Sequence, residues 1–210
     1  LSESVETLIE TLIDNEIDIK FVKNSISVGK IGDSNRKDYK IVFTPIHGTS
    51  YKILPEVLEG AGFKDLHIVK EQATPDGNFS TVKSPNPEEP EALNMAISMA
   101  KSINADIVIG TDPDADRIGL YDNKGNFVDS HHILLLLIHY LKKYKGMDGK
   151  VCTGFSSTVK IKNMCDHYNL PLDVVKIGFK YICNIMITED VLVGGEESGG
   201  IAIKGHIPER

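Results

Sequence analysis

Apolar positions along the chain gather in short clusters between polar turns, and the spacing inside each cluster predicts its element. Val5, Leu8, Ile9, Leu12 and Ile13 stand at helical spacing behind Ser2, a side chain suited to an N-cap, with Glu3 and Glu6 in the first turn. The polar run 15–18 is expected to end this helix, and the charged stretch 29–38 reads as a loop or hairpin connection. A strand is predicted over 40–43, then a helix over about 51–59 closed by Gly60 and Gly62, then a strand over 66–69. Residues 74–90 carry Pro75, Pro85, Pro87 and Pro90 around Asp76-Gly77 and read as an ordered loop. An amphipathic helix over 91–103 leads to a short buried strand over 105–110, a second strand over 118–121 and a turn over 122–125. Asp129 or Ser130 then caps a helix to about residue 143, ended by Gly146 and Gly149. Strands over 151–153, 173–175 and 191–193 alternate with helices over about 157–168 and beyond Lys180.

This alternation predicts two helix-flanked, mainly parallel (mixed) sheet domains of the three-layer α/β/α type. The turn near Gly125 is the expected boundary, giving a lead-in helix and linker over 1–39, one domain over 40–125 and another over 126–210, the last truncated at its C-terminal end. No internal sequence repeat is visible.

Composition narrows the functions. The 210 residues hold 23 Lys+Arg against 30 Asp+Glu, a net charge of −7 that argues against nucleic acid or an anionic membrane as partner. Cys152, Cys165 and Cys183 are widely spaced, so neither a disulfide framework nor a zinc site is expected, and a reducing cytoplasm fits. The longest apolar run, residues 133–138, falls far short of the roughly 20 residues that span a bilayer. No signal peptide is read, and a chain opening at Leu1 is expected to be a piece of something longer.

Chemistry concentrates in Asp112-Pro113-Asp114-Ala115-Asp116-Arg117, directly after a buried strand. Three carboxylates at alternate positions of an extended segment face one side, and their repulsion raises pKa values unless a cation intervenes. A hard, oxygen-seeking ion such as Mg2+ fits, with octahedral positions left for water and a phosphate oxygen. The alternative is a solvated acidic turn. An EF-hand is excluded, because Arg117 stands where that loop needs Gly and Asn123 where it needs Glu. Arg117 is either a counter-ion or a bidentate fork for phosphate. Next comes Gly194-Gly195-Glu196-Glu197-Ser198-Gly199-Gly200, whose glycines allow a sharp turn close to a ligand. Glu196 accepts from sugar hydroxyls there and Ser198 donates or accepts, unless the segment is only an exposed turn. Lys176-Ile177-Gly178-Phe179-Lys180 sets two cations around a glycine, suited to a phosphate or sugar oxygen or simply to solvent. His47, in Thr44-Pro45-Ile46-His47-Gly48, reads as structural, and His131 and His132 as surface residues of a capped helix start.

In this order, with Pro75-Asp76-Gly77-Asn78-Phe79 and Pro85-Asn86-Pro87 to Pro90-Glu91 between, the motifs resemble the α-D-phosphohexomutases, the phosphoglucomutase and phosphomannomutase enzymes, over residues 40–203. The resemblance implies a four-domain protein of which 40–125 is the second domain and 126–210 most of the third, with the first and fourth missing. It implies Asp112, Asp114 and Asp116 as Mg2+ ligands, Arg117 and Lys180 as catalytic groups, and Glu196, Ser198, Gly178 and Lys180 as substrate-binding residues. It implies an isomerase of carbohydrate metabolism that interconverts hexose 1- and 6-phosphates through a phosphoserine and a hexose bisphosphate. The segment with that serine and the fourth domain's phosphate-binding loop are absent from these residues, so this piece is expected to be inactive. Pro113 stands where many members have Gly, and Gly200, where phosphomannomutase-like members often have His, leans towards the phosphoglucomutase-like branch. The competing expectations are a silent sugar-phosphate sensor and a haloacid-dehalogenase-like phosphatase. The latter wants Thr or Val two residues beyond its second Asp, where this chain has Asp116.

Overall fold

Residues 3–29 and 35–208 are described by the computed structural model, residues 3–15 as backbone alone. The expected N-cap at Ser2, the apolar side chains from Val5 to Ile13 and residues 30–34 of the expected loop lie outside the described residues.

Two sheets carry the fold. The first contains β1 (Lys40–Thr44), β2 (Asp65–Ile68), β3 (Ile107–Thr111), β4 (Ile118–Asp122) and β5 (Phe127–Val128), in the order β2-β1-β3-β4-β5. The second contains β6 (Lys150–Gly154), β7 (Leu172–Val175), β8 (Val191–Gly195) and β9 (Ile201–Ile203), in the order β7-β6-β8-β9. Each begins as three parallel strands and then turns antiparallel, at β3–β4–β5 and at β8–β9. The sheets are therefore more evenly mixed than the strand–helix alternation suggests. The segments 112–117 and 196–200 are shorter than the dozen or more residues a parallel crossover needs, so each closes a hairpin. Four strands of each sheet share one arrangement, a structural repeat with no counterpart in the sequence pattern.

Helices α2 (Ser50–Gly60), α3 (Lys70–Ala73) and α4 (Asn94–Ile103) accompany the first sheet, and α5 (Ser130–His139), α6 (Lys160–Tyr168) and α7 (Phe179–Thr188) the second. Asp129 caps α5, its carboxylate accepting from the His132 backbone amide at 2.8 Å. Strand and helix positions together feed the cores: Val42 and Val108 of the strands with Ile46, Leu93 and Ala96 at the first sheet, and Val151, Leu192 and Val193 of the strands with Leu134 and Ile138 of α5 at the second. No helix among the described residues is long and apolar enough to cross a membrane.

The first helix departs from expectation. α1 (Glu3–Gly29) does not stop at 15–18 but runs to Gly29, because Asn15, Glu16 and Asp18 are polar without being helix breakers, and Glu16 pairs with Lys20 one turn on at 2.6 Å. Further along α1, Ile26 fills the space over Gly60 of α2, where a β-carbon would come within 2.3 Å of it. The elements α3, β5 and β9 have four, two and three residues, too few to show a period. The first sheet also keeps Phe127 and Val128, beyond the division expected after residue 125.

Candidate functional site

Both candidate loops leave the C-terminal end of the third parallel strand of their sheet, where ligands of open α/β sheets bind. After β3, Thr111 and Asp112 are buried, and the chain then turns rather than continuing extended: the Ala115 amide donates to the Asp112 carbonyl at 3.0 Å, and Ala115 adopts φ +61°. Convergence of the carboxylates thus comes from this turn, not from alternation along a strand. One oxygen from each of Asp112, Asp114 and Asp116 lies within 4.8 Å of the others. Burial pushes the Asp112 carboxyl up to about 6, opposed by the Arg117 amide that donates to its Oδ1 at 2.9 Å and reinforced by Asp116 and Asp114. A buried carboxyl crowded by two others is a donor set short of positive charge, which fits a hard divalent cation. Arg117 answers part of the demand. Its Nε stands 3.6 Å from both Asp112 and Asp116, is itself buried without a hydrogen-bond partner, and the side chain remains 36% exposed.

The loop after β1 braces this turn. Ile46 and His47 take φ +45° and +59°, which brings Gly48 so close to the turn that a β-carbon there would stand 2.4 Å from Pro113 Cα. The Pro113 carbonyl accepts from the Thr49 amide at 2.8 Å and from its hydroxyl at 3.2 Å. His47 is buried, with Nδ1 donating to the Thr74 carbonyl at 3.1 Å and Nε2 2.8 Å from Thr81 Oγ1, so both ring nitrogens serve structure.

In the second sheet Gly194 and Gly195 belong to β8 and not to the turn. They admit Ile182 and Leu134 to within 2.4 and 2.3 Å of where a β-carbon would be, so two of the four glycines serve packing. The turn itself is closed by the Glu196 amide on the Gly200 carbonyl at 2.9 Å. Glu196 is only 3% exposed, and its Oε1 accepts from the Gly178 amide at 2.6 Å. That bond draws Gly178, the residue before α7, against the loop of Ser198, although the two are not adjacent in sequence; Lys180, expected in a loop, lies instead in the first turn of α7. Lys180 is exposed, its Nζ 5.2 Å from the centre of the Tyr181 ring. Glu197, with no role assigned from sequence, buries Oε2 without a partner close to Gly154, whose own β-carbon position is 3.6 Å away.

The two loops meet across the sheets. Gly199, at φ +92°, rests on Arg117 and Ile118, with its β-carbon position 3.3 Å from Arg117 Cβ and 3.4 Å from the Ile118 amide nitrogen. The structure therefore gathers the acidic loop with Arg117, and the glycine-rich loop with Gly178 and Lys180, into one region. Signals for the missed contacts were faint: Gly48 and Thr49 carry no chemistry of their own, and only their place after a strand marks them.

Known proteins match both halves of the chain. Residues 19–125 match the profile described as phosphoglucomutase/phosphomannomutase, alpha/beta/alpha domain II, and residues 129–210 the profile for domain III. A phosphoglucomutase of Staphylococcus epidermidis is 32% identical over 222 residues, covering 100% of this chain and 40% of the relative, so the chain spans well under half the length of that curated relative. A phosphoglucomutase/phosphomannomutase family protein of Burkholderia thailandensis has the same fold, with TM-score 0.76 over 97% of this chain and 45% of that one at 18% identity. The fold also matches an Aspergillus fumigatus N-acetylphosphoglucosamine mutase solved with GlcNAc-6P and magnesium, with TM-score 0.55, 17% identity and coverage of 88% and 39%.

Proposed function

Since the chain belongs to the α-D-phosphohexomutase family, as its second and third α/β/α domains, we propose that the protein carrying it moves a phosphoryl group between the 1- and 6-positions of a hexose in the cytoplasm. The convergence of Asp112, Asp114 and Asp116 with a buried, cation-starved carboxyl carries this reading. These three would hold Mg2+, which would supply positive charge against a phosphoryl group in transfer. Arg117, anchored through Nε between two of the carboxylates, turns the rest of its planar head to phosphate. Glu196 and Ser198 grip ring hydroxyls, and Lys180 and Gly178, drawn in by the Glu196 bond, line the same space. A grip on hydroxyls near the middle of the ring serves a bisphosphorylated sugar in both of its orientations, with either phosphate facing a phosphoserine supplied from outside residues 1–210. We assign the metal loop to a unit over 40–125, to whose sheet β5 adds from just beyond that boundary, and the sugar loop to 126–210. Membership of this family removes the dehalogenase-like phosphatase.

Manganese titration followed by paramagnetic broadening tests the metal site. Wild-type protein should bind one equivalent through these carboxylates and Asp114→Asn at least 10-fold more weakly; equal affinities would remove the assignment. A coupled assay on glucose and mannose 1-phosphates with the whole protein then separates an enzyme from a silent sensor.

A further inference from the structure

We infer that Gly199 is a positioning residue for the cation site: seated on Arg117 and Ile118, it lets the sugar loop of one domain set the carboxylate geometry of the other. The inference rests on the metal reading above and adds to it a residue with no ligand atom of its own. Gly199 is fixed within its own loop, its amide donating to the Glu196 carbonyl at 3.3 Å while the Glu196 carboxylate holds the Gly178 amide at 2.6 Å. On its other side, Gly199 leaves only 3.3 Å to Arg117 Cβ and 3.4 to 3.5 Å to the Ile118 amide nitrogen and carbonyl oxygen, measured from where a β-carbon would stand. The segment it presses on is the one that orients the acidic turn. The Arg117 amide donates to Asp112 Oδ1 at 2.9 Å, and Arg117 Nε lies 3.6 Å from Asp112 and from Asp116. A continuous run of contacts therefore joins Gly178 to Asp112 across the two sheets.

The consequence follows from the demands of the ion. Mg2+ requires near-ideal octahedral geometry at about 2.0–2.1 Å, so it is sensitive to shifts of a few tenths of an ångström. A methyl group at position 199 forces a shift of that size, either in Arg117 and Ile118 or in the loop itself, because φ +92° disfavours any side chain. Groups that orient metal ligands without touching the ion typically contribute about 10–100-fold to affinity. A packing glycine with no such role would change stability and leave the affinity of the folded protein alone.

The test compares Mn2+ affinity, read by electron paramagnetic resonance, in wild type, Gly199→Ala and Gly77→Ala, with circular dichroism to verify folding. Gly77 has open space around its β-carbon position and serves as the control. We expect about 10-fold weaker binding in Gly199→Ala and no change in Gly77→Ala. Should Gly199→Ala fail to fold, hydrogen exchange on wild-type protein decides: Mg2+ should slow exchange in a peptide covering 196–203, which holds none of the three carboxylates. Unchanged Mn2+ affinity in a folded Gly199→Ala protein, or exchange over 196–203 indifferent to Mg2+, overturns the coupling while leaving the metal site intact. Failure of wild type to bind Mn2+ would overturn the metal reading and this inference together.

Discussion

At the scale of single residues, Asp112 joins fold stability to chemistry. Its carboxyl is pushed from 3.8 to about 6, chiefly by burial, so the folded chain holds a proton that the unfolded chain has released over the interval between those values. Below pH 3.8 both states are protonated and the residue contributes nothing; as pH climbs from about 4 to about 6, ionisation in the folded state becomes obligatory and stability is lost. Other carboxyls act with the opposite sign. Asp76 is held down to about 2 by the Asn78 and Ser80 groups that donate to it, and so stabilises above its ordinary range. The Asp112 contribution therefore has to be isolated by difference. Asp112→Asn retains an oxygen for the Arg117 amide and cannot ionise. In chelator-treated protein, the melting temperature of this variant minus that of wild type should rise between pH 4 and pH 7, and Mg2+ added above pH 6 should shrink the gap by stabilising wild type alone. A gap that stays flat across this interval would show that Asp112 is not strained by ionisation.

Among the elements, connection length decided what sequence could reveal. Strands β1, β3, β6 and β8 were legible because each is a short apolar run bounded by turn residues, and α4 and α7 because their apolar positions recur at helical spacing. The acidic loop and the Glu-x-Ser loop were legible as chemistry. Their geometry was less so, since alternation in an extended segment and a turn bring the same three carboxylates together by different routes. The short spans 112–117 and 196–200 held the missing clue, for neither can return a chain to a parallel strand. What no local pattern encodes is contact between loops. The brace of Gly48 on Pro113 is set by a path through β1, and its tightness leaves no slack: a β-carbon would overlap backbone, which has no rotamer to move. Gly48→Ala should therefore destabilise the protein by about 1–3 kcal/mol and weaken Mn2+ binding, both measurable on one sample by thermal melting and titration. Were stability and affinity unaffected, the brace would be incidental to the turn.

Over the whole molecule, two sheets with the same four-strand arrangement present their third-strand hairpins to each other, and something must hold that approach. Three features span the sheets. Gly199 seats on Arg117 and Ile118, as described. α1 packs on α2 through Ile26 and on the end of the chain through Phe21, whose ring meets His206 edge-on with centroids 5.5 Å apart; the carbonyl of Val28 accepts from Lys145 Nζ at 3.1 Å. The third belongs to the proline-rich loop, where Pro87 closes over Gly119 of β4 and the buried Ser130 hydroxyl, at the start of α5, donates to Glu88 at 2.5 Å. A hydrogen bond to an ionised carboxylate is worth about 1.5–3 kcal/mol, and this one ties the loop that covers the first sheet to the first helix of the second. It also changes what the loop predicts for proteolysis. An exposed loop invites cleavage, but a segment with Pro87 buried and Glu88 latched has to open before a protease can bind it. Wild type should accordingly resist limited proteolysis over 84–90, and Ser130→Ala should be cut there and over 121–130 several-fold faster at equal protease. Ser130→Thr, which keeps the hydroxyl, should restore most of the resistance. If Ser130→Ala were cut no faster than wild type, the latch would hold nothing, and the spacing of the two loops would rest on Gly199 and α1 alone.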